Sequence, residues 1–512
     1  MKKILGMSLV AASVAMAGGS SSTAEEIANL QKQIDRLKVK LGKVNAQSAN
    51  DNIKWGVDLR TAIDSVDYDM ADGRSVSKND LMSMRLWLNM AYSPDPHNVF
   101  KGQLSMNKAF GADFADPFNT PGGNRTFSMG GMFDWTGNEA LTDNTLKVRQ
   151  AYWLYLGENA FGLDMPWTFS IGRRPSTNGF LANLRDDDPA QSPLGHIINV
   201  EFDGLSSKLD LSNLTGIAGM SFKICMGQGS TNAEPLFATA TPYANDDSQL
   251  NDIKLAGFIF EPYNDGQIIS KVTWFRAYDL PGMEMDNTGT PLGFRQYGDI
   301  EGGAISVLVD GLTEDGYFSD VKVFGSYAYS KTLPDSGSSM LGSAESETGT
   351  SYWFGTQLPV TEEGKLGLEY NHGSQYWRPF TYAEDTMIGS KLAARGDAIE
   401  AYFTYQLTDA LSAQIRYTKI DYDYTGSNGF FGNTTGAAMK IDDVKAGAKA
   451  WSQLGGTADP ASAANVVGNL MASGMTQQQA VAAAQQMGMA AAFLPNIVES
   501  AQDLRFYIRY RF

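Results

Sequence analysis

Asp503-Leu-Arg-Phe-Tyr-Ile-Arg-Tyr-Arg-Phe512 is the stretch that decides the fold. Leu504, Phe506, Ile508, Tyr510 and Phe512 alternate without a break with Asp503, Arg505, Tyr507, Arg509 and Arg511. A period of two belongs to a β-strand, whose side chains point to opposite faces in turn. One face here is apolar and aromatic, and the other is strongly cationic. A water-soluble sandwich could use the apolar face as half a core. A strand with lipid on one side and a wet lumen on the other needs this pattern. The rest of the chain separates the two readings.

Residues 1–24 read as an export signal: Lys2 and Lys3, an apolar run from Ile4 to Ala17, and small-residue cleavage sites at Ala15-Met-Ala17 or Ser22-Thr-Ala24. The run of 14 residues is too short to span a bilayer as a helix. No later window supplies about 20 consecutive apolar residues, so entry into a membrane would be by strands. Charged residues at 19%, aromatics at 11% and 53 glycines fit one large, turn-rich β-structure. The net charge of −17, or −19 without Lys2 and Lys3, argues against nucleic acid as a partner. The single cysteine, Cys225, excludes an intrachain disulfide and reads as a small packed thiol on a strand.

A short periplasmic helix is expected over residues 25–47. Ile27, Leu30, Ile34, Leu37, Leu41 and Val44 form a narrow a/d heptad seam flanked by Glu, Gln, Lys and Arg. A lone helix of this length is marginal in water, so the seam implies a partner. Self-association as a parallel bundle is the first expectation, and a helix lying against a barrel mouth is the alternative. Ile at a with Leu at d favours a dimer.

Residues 51–512 carry the period-two pattern of an all-β, antiparallel transmembrane barrel of about 16 strands. The approximate cores include 53–65, 81–92, 166–174, 196–203, 219–227, 252–261, 396–407, 411–423 and 503–512. Alternate connections are long (175–195, 377–395 and 424–502 among them) and the others short, as external loops and periplasmic turns would be. Residues 440–500 break the rhythm as a helical insertion in the last external loop. Asp459 before Pro460 caps one helix, and Thr476 opens another over Gln477 to Ala492.

Little here suggests an enzyme or a bound cofactor. Among His97, His196 and His372 there is no zinc-protease spacing, and paired cysteines and a phosphate loop are missing. His196, at the start of a strand after an external loop, is the one plausible base for a hydrolase, but it reads more simply as a solvated loop histidine. Asp67-x-Asp69-x-x-Asp72-Gly73 hints at calcium but has Ala71 and Lys78 where an EF-hand loop needs acids. No catalytic residue and no metal ligand is therefore assigned. The informative pattern is charge sorted by face. By parity Arg60, Arg85, Arg149, Arg174, Arg416, Arg505 and Arg509 point to the lumen. An Arg or Lys on the lipid face costs about 2–4 kcal/mol at the midplane, and the result is a cationic wall.

Signal, heptad helix, patterned strands and terminal Phe512 resemble the Gram-negative porin superfamily across essentially the whole mature chain. Asp51-Asn-Ile-Lys-Trp-Gly-Val-Asp-Leu-Arg60, Phe169-Ser-Ile-Gly-Arg-Arg-Pro175 and Val200-Glu-Phe-Asp-Gly204 look like an outer-membrane family catalogued only as a domain of unknown function. The resemblance implies location in the outer-membrane bilayer, assembly into a trimer, and Phe512 as the signal read by the barrel-assembly machinery. It also implies a third loop folded inward, where Asp186, Asp187 and Asp188 would face the basic wall across a constriction; an exposed acidic loop tip is the plainer reading. The expected function is passive diffusion of small hydrophilic solutes or ions with weak anion preference. The alternative is a structural or interaction barrel, closed by its helical loop and holding a partner.

Overall fold

The structure, a computed structural model, describes residues 53–111, 141, 144–174, 176–234, 244–245, 250–285, 291–381, 387–427 and 436–512. The expected signal, 1–24, and the heptad helix, 25–47, lie outside the described residues. Sixteen strands form a closed barrel in sequence order. They are β1 Lys54–Met70, β2 Ser75–Tyr92, β3 Asn98–Ala109, β4 Lys147–Gly157, β5 Trp167–Arg174 and β6 Phe202–Asp210. Then come β7 Ser221–Gln228, β8 Lys254–Asn264, β9 Ile268–Met285, β10 Pro291–Asp310 and β11 Lys322–Pro334. The last five are β12 Thr348–Pro359, β13 Gly364–Gly373, β14 Gly396–Thr408, β15 Leu411–Tyr422 and β16 Val498–Arg511.

Closure is antiparallel between β16 and β1, with Leu59 opposite Tyr510 and Ile63 opposite Phe506. Backbone bonds between Val57 and Phe512 complete that seam in both directions, at 3.1 and 3.0 Å. Every strand thus has two neighbours, which is how a sheet satisfies its backbone in hydrocarbon. Leu59, Ile63, Leu504, Phe506, Ile508 and Tyr510 are exposed on the outside, while Asp64, Arg505 and Arg509 are buried within. The barrel is an outer-membrane barrel by this two-solvent division. No described helix is long and apolar enough to cross a membrane.

The sixth strand differs from expectation. Its core was expected at 196–203, but β6 starts at Phe202, and residues up to Glu201 belong to the loop that follows β5. His196-Ile-Ile-Asn-Val200 is apolar enough to read as a strand because it is a core segment inside the barrel. Leu194, Ile197, Ile198 and Val200 join Phe202, Leu255, Phe275, Ile300, Trp377 and Phe380 in one buried cluster. Ile198–Asn199 pairs in parallel with Phe380–Thr381 from the seventh external loop. Two loops therefore enter the lumen, and inward glycines admit the second of them. A Cβ on Gly349 would collide with the backbone of Trp377, and one on Gly373 with the Ala394 carbonyl.

The insertion before β16 folds as α1 Ile441–Gln453, α2 Ala463–Ala472 and α3 Gln477–Phe493. Thr476 and Gln479 make a reciprocal capping box at the start of α3. Trp451, Val466, Leu470, Ala480 and Ala484 form the helices' own small core, and the lumen is filled by the third and seventh loops instead.

Candidate functional site: the two walls of the lumen

The third loop crosses the lumen at the level of the arginine wall. A 3₁₀ turn over Ala182–Asp186, ended by Asp187 at φ 54°, presents its side chains in several directions. Phe180, Leu181 and Leu184 pack on Leu308, Phe324 and Trp353. The acids and Arg185 turn the other way. Asp186 accepts a hydrogen bond from Tyr507 (3.0 Å), Asp187 one from Lys365 (3.0 Å), and Asp188 pairs with Arg509 (2.8 Å) and Arg511 (2.5 Å). Arg509 also binds Asp58 on β1, and Arg505 binds Asp64 at 2.5 Å.

A second knot holds both loops to β13–β15. Glu400 receives Lys391 of the seventh loop (2.5 Å) and Arg185 of the third (3.3 Å), with Arg416 at 3.9 Å. Lys391 also reaches Glu369 at 2.6 Å. Glu400 sits at 2% exposure and Lys391 at 4%, so these charges are paired where water is scarce. Arg149 is held by Glu201 (3.2 Å) and Gln103 (2.6 Å), and it shares the Trp87 ring with Arg85, whose guanidinium lies 3.5 Å from the ring centre. Arg60 lies over Tyr507 at 5.3 Å. Of the seven inward arginines, six are at most 4% exposed; Arg174 is half-buried.

The opposite wall, β5–β9, is built differently. Its inward residues are small in two successive register rows: Gly172, Gly204 and Gly227, then Ser170, Ser206, Cys225 and Gly257. Glycine is required at 172, where φ is +128° and a Cβ would strike the Ala151 carbonyl. These rows leave an opening between the wall and the returning limb of the third loop, near Ser192, Pro193 and Ile198. Below it Lys208 lies directly opposite Lys223. Like charges directly opposite destabilise a sheet. Lys223 donates to Ser192 Oγ at 2.5 Å. Lys208 and Lys271 share one carboxylate, Glu261, at 3.9 and 3.6 Å.

His196 is not solvated. It is 0% exposed, its ring nitrogens lie 2.7 Å from the Ser326 and 2.9 Å from the Ser351 hydroxyls, and Trp353 and Trp377 flank it. Burial pushes its pKa down to about 3, so the ring is neutral. It pins the third loop to β11 and β12 and is closed to a substrate at the outer rim. In the acidic β1–β2 turn, Asp72 is taken by Arg74 at 2.6 Å. The lysine wall had escaped sequence reasoning, which followed arginine; the available signal was Lys208 and Lys223 at inward parity with Gly204, Ser206 and Cys225.

A family model described as Protein of unknown function (DUF3373) matches residues 75–467. No curated protein matches the sequence. Among solved structures, the chain is similar to an anion-selective porin from Comamonas acidovorans, at 9% identity, TM-score 0.44, covering 90% of this chain and 99% of that one. It is similar to OprB of Pseudomonas putida at 10% identity and TM-score 0.43, covering 92% and 97%. OmpT, an outer membrane protein of Vibrio cholerae, matches at 12% identity and TM-score 0.41, covering 90% and 97%. At these TM-scores the likenesses add nothing to what the barrel's own register establishes.

Proposed function

The chain belongs to that family of proteins of unknown function, and we propose that it is a porin passing small hydrophilic solutes by passive diffusion, with weak anion preference. The observation that carries this reading is the unequal closure of the lumen. The third loop is ion-paired to β13, β14 and β16, while an opening stays against β5–β9. Arg174 and Lys223 border it, and on the same wall Lys208 and Lys271 share one carboxylate, Glu261. Solutes would pass along this groove, and uncompensated positive charge would raise the local anion concentration. Asp186 to Asp188 would then act as the latch that holds the loop across the lumen. No step needs a nucleophile, a metal or a cofactor.

A second reading has its own support: the burial of most inward side chains favours a closed structural barrel, sealed by the third and seventh loops. Single-channel recording of the purified protein in a planar bilayer separates the two. Stepwise openings with an anion-side reversal potential under a salt gradient support the porin; silence supports the closed barrel.

Oligomer formation through the heptad seam and recognition of Phe512 by the assembly machinery belong to the same proposal. Leu30→Asp with Leu37→Asp is expected to weaken oligomers in native gels, and unchanged oligomers would remove that role from the helix.

A further inference from the structure

We propose that the groove along β5–β9 binds a small organic carboxylate with an apolar tail, which rests on the porin reading and names its solute class. The charged part of the site is in excess of its acids. Arg174 stacks its guanidinium on Tyr152 at 4.4 Å, and its Nη1, though buried, has no hydrogen-bond partner among the described residues. A buried donor left unmade is costly, and a carboxylate oxygen is the acceptor that suits a guanidinium best. Lys223, opposite Lys208, stands on the same face.

The rest of the lining is apolar. Phe202, Leu255, Ile259 and Phe275 border the opening from the wall, and Ile198 from the third loop. An inorganic anion placed there would keep its charge but lose hydration against hydrocarbon. A monoanion carrying a short alkyl or aryl group satisfies both parts, its carboxylate on Arg174 and Lys223 and its tail on Leu255 and Phe275. The small residues Gly204, Ser206, Gly227 and Gly257 provide the width, since their side chains do not occupy the groove.

Cys225, half-buried in this lining, reports occupancy without any current being measured. The full-length protein in detergent is labelled with a sulfonate-bearing methanethiosulfonate in the presence of hexanoate, butyrate or hexanamide. Hexanoate is expected to slow labelling. Butyrate, two methylenes shorter, should need about tenfold more for the same protection. Hexanamide at the hexanoate concentration should protect poorly. Arg174→Gln and, separately, Lys223→Gln should each raise the hexanoate needed by about tenfold, with heat-modifiable gel migration verifying that each barrel is folded. Labelling unchanged by hexanoate, or slowed equally by chloride at the same ionic strength, overturns the carboxylate site and leaves the porin reading standing. A folded protein in which Cys225 does not react at all removes the groove, and with it both proposals.

Discussion

Arg509, Arg505 and Arg149 on one side of the lumen each have a buried acid, in Asp188 with Asp58, Asp64 and Glu201. Lys208 and Lys271 on the other side divide Glu261 between them, and Lys223 has a serine. Both walls look alike in the linear pattern, with cations recurring at inward positions. The first wall has the third loop lying on it, so its cations were desolvated and had to be paired or pay heavily. The second lies next to the opening, where water still screens the repulsion between neighbours. Charge on an inward face thus becomes structural where the loop brings acids to it and is left for solutes where the loop brings none.

The contrast breaks most visibly at the two acids. Glu400→Ala removes the buried carboxylate that Lys391, Arg185 and Arg416 share and is expected to cost about 3–5 kcal/mol, measured by urea unfolding of the folded band in detergent. Glu261→Ala, whose two lysine contacts are looser at 3.6 and 3.9 Å, should cost clearly less than Glu400→Ala. Equal losses would erase the distinction.

The buried histidine sharpens the same contrast through pH. Its pKa is about 3 in the folded protein against an ordinary 6.5, so between these values the unfolded chain binds more protons. Its stabilising contribution is complete above pH 6.5 and falls as pH drops toward 3, by at most about 1.4 kcal/mol per pH unit. His196→Gln should flatten that part of the stability profile, and an unchanged profile would mean that the third loop is not pinned there.

Neutralising the lysine wall should act on selectivity more than on stability. Lys208, Lys223 and Lys271 changed together to Gln should shift the reversal potential toward cations while stability moves by about 1 kcal/mol or less. Arg60, Arg85 and Arg149 changed together should destabilise the barrel first and shift selectivity less. The smallest effect is expected from the helices: replacing residues 442–493 by a short linker should leave single-channel conductance nearly unchanged, because α1–α3 close on their own core.

Most of the barrel was legible in the sequence because parity is local: Phe506 and Arg505 declare their faces without knowledge of any neighbour. The strand number, the 3₁₀ turn Pro460–Ser462 that leads into α2 and the start of α3 after Thr476 follow from equally local signals. What was hidden depends on contacts far apart in sequence. His196-Ile-Ile-Asn-Val200 has the composition of a strand, and only its meeting with Phe380 and Trp377, nearly two hundred residues on, makes it a core inside the lumen. The seventh loop did carry a sign of entering the barrel, since Trp377, Phe380, Ile388 and Leu392 are out of place in a solvated loop. The expected inward loop set Asp186 to Asp188 facing the basic wall across a constriction; their direct pairing, as of Asp188 with Arg509, and the burial of the arginines were not expected, because parity says which way a side chain points and nothing of what covers it.

The most direct measurement is single-channel conductance before and after labelling of Cys225 with the sulfonate reagent, with Cys225→Ser as the control. A solute path along β5–β9 predicts that labelling removes most of the current and weakens anion preference, and that the serine variant is unaffected. Full labelling with the current and reversal potential unchanged would place conduction elsewhere and contradict the assignment of the lysine wall.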